Sequence, residues 1–136
     1  MGRILCATRG GADSQPTQHA AVALAKERGD ELVFLYVADS SFLDTMAAAV
    51  VVDVDAELEQ MGHFQLLMAQ EQAAEQGVGA DILVRHGHLR PALLQVAREL
   101  GATLIVLGRP QEGTAVFDEE FKIPMLLSQH GLRRSL

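Results

Sequence analysis

The chain has 136 residues, 49% of them hydrophobic and 21% charged, which suits one globular domain and excludes a disordered or fibrous chain. Eighteen acids against eleven bases leave a formal charge of −7, which argues against nucleic acid, since phosphate backbones want a basic surface. A lone cysteine excludes an internal disulfide, and the apolar run Met46–Val52 falls far short of the ~20 residues that a membrane helix needs.

Met1-Gly2-Arg3 runs straight into a strand-like segment, so no leader is expected and the cytoplasm is the expected location. Ile4–Ala7 reads as a first strand, followed by a loop with adjacent glycines at 10 and 11. Cys6 lies inside that apolar run and reads as a buried thiol. Ser14 is placed to cap a helix whose first turn accepts Pro16, with Ala21, Leu24 and Ala25 at helical spacing and Gly29 to end it. Leu32–Val37, reading LVFLYV, has the β-branched and aromatic bias of a buried strand.

Residues 39–55 are the least legible; their MAAAVVV centre suits a helix end, a packed loop or an exposed patch, with packing onto the core preferred. From about Val54 to Gln76 the pattern is a long amphipathic helix that tolerates Gly62. Its Met61, Phe64 and Met68 share a face, with Leu67 beside them, and are expected to point into the core rather than toward a partner. Ile82–Val84 forms a third strand, and a helix from Pro91 carries Leu93, Ala97 and Leu100 on one side before Gly101 stops it. Thr103 leads into the fourth strand, Leu104–Leu107.

Three strand–helix–strand units in succession imply right-handed crossovers and a parallel sheet with helices on both faces. The stretch Ala102–Ala115, ATLIVLGRPQEGTA, places Gly108, Gly113 and Thr114 after a buried strand, with Ala115 opening a possible helix. Glycines there let the backbone approach a ligand, and amides at a helix start attract anions. Together they read as the floor of a phosphate site with parts missing.

The first strand with its capped helix, the segment HGHLRPALLQVARELGATLIVLG, Gly113-Thr114 and the closing Ile123–Leu127 resemble the universal stress proteins over nearly the whole chain. The resemblance implies one α/β domain over 1–136, with a five-stranded, parallel, Rossmann-like sheet of order 3-2-1-4-5. Its edge strand is free to pair antiparallel across a dimer. It also implies an adenine-nucleotide crevice at the switch point between strands 1 and 4. Adenine would lie against Ala7, Thr8 and Val37, and phosphates on the loop that includes Gly108, Gly113, Thr114 and Ala115. The family's dimer contact would fall on Pro124–Leu127, an edge whose unpaired backbone invites a second strand.

Three departures weaken the nucleotide site. Gln111 stands where a second glycine is expected, the nine-residue spacer has collapsed so that Gly113 lies five positions past Gly108, and Arg9 replaces the usual acid. Pro110 removes a further amide donor, while Arg9 and Arg109 suit direct contact with a smaller anion.

His86 and His88 lack a third ligand, Asp13-Ser14 with His19 lacks a positioned base, and Asp118-Glu119-Glu120 suits a solvated helix start. The glycine loop is neither GxxxxGK[ST] nor GxGxxG. The leading expectation is therefore a non-catalytic regulatory or binding protein that holds no cofactor, or ATP or AMP weakly. It would work through an unidentified protein partner and a homodimer. The second is a true adenine-nucleotide binder or slow ATPase. The third is an enzyme of related fold using His86, His88 or Arg9 on a phosphorylated substrate.

Overall fold

The computed structural model describes residues 2–8, 15–38, 48–108, 125–129 and 132–135. In chain order these give β1 (Arg3–Ala7), α1 (Gln15–Arg28), β2 (Glu31–Ala38), α2 (Ala48–Glu75) and β3 (Ala80–His86). They continue with α3 (Leu89–Leu100), β4 (Leu104–Gly108), β5 (Met125–Gln129) and β6 (Leu132–Ser135). The sheet order begins β3-β2-β1-β4, as the family resemblance implies, and continues through β5 to β6. The first five strands pair in parallel, with Ile4 opposite both Leu32 and Leu104.

The expected count of five strands is corrected by β6, which pairs antiparallel with β5. Leu126 and Leu127, expected at a free edge for a homodimer through Pro124–Leu127, are already paired with Ser135 and Arg134. Pro124 lies outside the described residues.

Two apolar layers cover the sheet because side chains alternate along each strand. On one face Ile4, Cys6, Phe34 and Val106 pack with α1 and α2 through Ala21, Ala25, Leu66 and Ala73. On the other, Leu5, Val33, Leu35 and Ile105 pack with α3 through Leu93, Val96 and Ala97. Gly101 ends α3 in the left-handed region at φ 63°, a conformation that suits a residue without Cβ. The amide of Ala102 then donates to the Ala97 carbonyl at 2.9 Å.

The long helix differs from its expected form in two ways. It begins at Ala48 rather than near Val54, so Ala48–Val52 supply its first turns. Its buried stripe is Gly62, Leu66, Ala69 and Ala73, whereas Met61, Phe64, Leu67 and Met68 are exposed. The stripe of small residues lets the helix backbone approach the sheet closely, and Tyr36 takes the space that a side chain at 62 would need. The bulkier residues are left on the outer side.

Candidate functional site

The carboxyl ends of β1 and β4 are neighbours, and the chain leaves them in opposite directions, β1 toward β2 and β4 toward β5. An open α/β sheet places its ligand crevice at such a divergence. Ala7, Thr8, Val37 and Gly108 all come to this end of the sheet. Arg9, Arg109, Gly113, Thr114 and Ala115 lie outside the described residues.

The four residues that are described divide between the two faces. Ala7 and Val37 are half-buried and belong to the apolar layer on the α3 side. They offer an apolar wall of the kind a planar base could lie against. Thr8 faces the α1 side: its hydroxyl accepts a hydrogen bond from Gln18 Nε2 at 2.8 Å, and its amide donates to the Leu35 carbonyl at 2.8 Å. Gly108 also abuts α1, because a Cβ there would come within 3.1 Å of Thr17 Oγ1. A glycine is therefore accounted for at 108 by the close pass of the helix, with no phosphate invoked.

Thr17 and Gln18, absent from the sequence-derived site, are the buried polar residues that hold this end together, at 3% and 6% exposure. A signal for them exists: Gln18 precedes Ala21, Val22 and Ala25 by three, four and seven positions, which is the core-facing spacing of a helix. Polar letters within an apolar period mark buried groups that must find partners, and Thr8 is that partner for Gln18.

Nothing in the described part of the crevice is charged. The nearest thiol, Cys6, is fully buried, and burial pushes its pKa from 9.0 up to about 12, so it stays protonated and inert. Of the two histidines considered for a metal, His86 Nε2 lies 3.5 Å from Glu59 Oε2 across the β3–α2 contact. His88 occupies the position ahead of α3, where its side chain makes no capping bond. Among the described residues no three His, Cys, Asp or Glu side chains converge as a metal site.

Residues 1–116 match the universal stress protein family. The chain belongs to that family. Universal stress protein YxiE of Bacillus subtilis (strain 168) is 32% identical over 116 residues, which is 79% of this chain and 78% of that protein. A solved universal stress protein family structure from Burkholderia pseudomallei is 27% identical, with a TM-score of 0.70, covering 93% of this chain and 94% of its own. A universal stress protein family protein of Arabidopsis thaliana, solved with AMP bound, superimposes with a TM-score of 0.68 over 95% of this chain and 92% of its own. At 15% identity that last likeness is one of fold. Of this universal stress protein's described helices, none is long and apolar enough to cross a membrane.

Proposed function

We propose that this universal stress protein is a non-catalytic regulatory or binding protein that works through protein contacts and holds adenine nucleotide weakly or not at all. The observation that carries the reading is the contact between α1 and Gly108. Thr17 Oγ1 stands 3.1 Å from where a Cβ would be, so helix packing accounts for the strand-end glycine without a phosphate contact. The sequence of the following loop points the same way, since Pro110 lacks an amide hydrogen and Gln111 adds a side chain. Each charge-assisted hydrogen bond lost to a phosphate costs about 1.5–3 kcal/mol, or roughly one to two powers of ten in affinity.

A second reading, a base-directed adenine-nucleotide binder, is favoured by the apolar wall at Ala7 and Val37 and by the AMP in the Arabidopsis relative. Isothermal titration with ATP, ADP and AMP separates the two. Dissociation constants in the millimolar range or no heat at all are expected for ATP. Micromolar ATP binding that is abolished by Thr114→Val would replace the first reading with the second.

A further inference from the structure

The outward face of α2 carries a feature that the nucleotide crevice does not use. Phe64 and Met61 are 61% and 60% exposed, with Leu67 and Met68 next to them at 43% and 42%. Spacings of three and four residues line them up along two turns of a helix that is 28 residues, or about 42 Å, long. Isolated exposed apolar residues need no explanation, but four large ones in a contiguous stripe mark an interaction surface. Methionines suit such a surface because an unbranched, polarizable chain adapts to different partners.

The charges around the stripe specify the partner. Glu57 lies one turn before Met61, Glu71 one turn after Leu67, and Glu75 one turn beyond that, all exposed. None of these three pairs with a cation among the described residues. The helix contains no lysine or arginine anywhere in its sequence.

A groove of about 680 Å³ continues from this face, between α2 and α1. Gln72 and Gln76 on its α2 wall lie within about 80° of Met68 around the helix axis. Its rim carries Glu75 and Glu27 against Lys26, with His19 exposed beside them. Gln72 Oε1 is shielded from solvent there and accepts no hydrogen bond among the described residues.

We propose that the α2 face docks an amphipathic helix of another protein, one with a bulky apolar stripe flanked by lysine or arginine. Apolar anchors on Phe64 and the methionines would supply the contact area, and the Glu57, Glu71 and Glu75 carboxylates would select basic flanks. A second copy of this chain is the poorer fit, because it would bring one lysine- and arginine-free acidic helix against another. The inference gives the protein-contact reading of the function its surface, and its test is independent of nucleotide.

The test is titration of the full chain with a labelled synthetic helix of about 18 residues, leucine on one face and lysine on the other, followed by fluorescence anisotropy. Its counterpart carries glutamate in place of lysine. Binding of the leucine–lysine peptide at about 10 μM is expected, with a loss of at least about tenfold in Phe64→Asp and in Met68→Asp. Both sites are exposed, so far-UV circular dichroism should remain unchanged. Because each substitution adds negative charge, binding that persisted or tightened in them would show charge attraction alone and overturn the proposal. Equal binding of the leucine–glutamate peptide would overturn it as indiscriminate apolar adhesion. A dimer in sedimentation that Phe64→Asp converts to monomer would assign the face to a second copy instead.

Discussion

Tyr36 lies against the backbone of α2 because residue 62 has no side chain to hold it off. A Cβ at Gly62 would come 2.2 Å from Tyr36 Cδ1 and 2.5 Å from Cε1, both part of a rigid ring. Two effects therefore oppose one another in Gly62→Ala. Helix propensity favours alanine by about 1 kcal/mol, while overpacking against a fixed ring costs about 1–3 kcal/mol. Overpacking should prevail, and Gly62→Ala is expected to lower stability by up to about 2 kcal/mol in urea unfolding. In a Tyr36→Ala background the same change should become stabilising, since only the propensity term is left. A double-mutant cycle showing no coupling between 36 and 62 would refute the packing account.

At the scale of the element, β6 decides what the sheet presents at that end. Its antiparallel pairing with Leu126–Gln129 occupies the backbone groups that β5 would otherwise offer to another chain. A chain ending after Gln129 should therefore self-associate through the uncovered β5, seen as a higher mass in light scattering than the full chain shows. An unchanged mass would mean that β6 is not what shields the edge.

This strand was not legible beforehand, because Leu-Arg-Arg-Ser is too short and too polar to show a strand period. The buried strands were legible for the opposite reason: LVFLYV and LIVL have no polar alternation and end at turn residues. The register of α2 is hidden in the sequence because Met61, Phe64 and Met68 form a more hydrophobic stripe than the glycine and alanines that face the sheet. Close approach to a sheet is made by small residues, so Gly62, Ala69 and Ala73 faced inward. Its start is weakly marked because β-branched Val50-Val51-Val52 has low helix propensity, which the helix overrides.

For the molecule as a whole, Cys6 links stability to alkaline pH. Its thiol is buried between the sheet and its helices and titrates near 12 instead of 9.0 because the thiolate cannot be solvated there. The folded state thus keeps a proton that the unfolded chain releases. The contribution is complete below about pH 9 and is lost progressively as pH rises toward about 12. The urea midpoint should fall between about pH 8 and pH 10.5, and Cys6→Ala should lessen that fall while lowering stability at pH 8. An identical pH dependence in the variant would exclude the thiol as its source. At the crevice, the family resemblance supplies Ala7, Thr8 and Val37 and the glycine after the fourth strand supplies Gly108, and these four come to one end of the sheet. Of the supporting pair, Gln18 is marked by its core-facing spacing ahead of Ala21, Val22 and Ala25, whereas Thr17 reads in sequence like a solvated residue.

The central position of β1 also has a consequence for biosynthesis. Ile4 pairs with Leu32 on one side, but its other neighbour, Leu104, is made 72 residues later. At ~5–20 residues per second the far side of β1 waits about 4–14 s for its partner strand. Throughout that interval Ile4-Leu5-Cys6-Ala7 presents an unpaired, wholly apolar border to every other nascent chain nearby. Need for a protective chaperone is therefore expected from the emergence of β2 to that of β4, after which the open edge passes to Leu104–Gly108 until β5 follows.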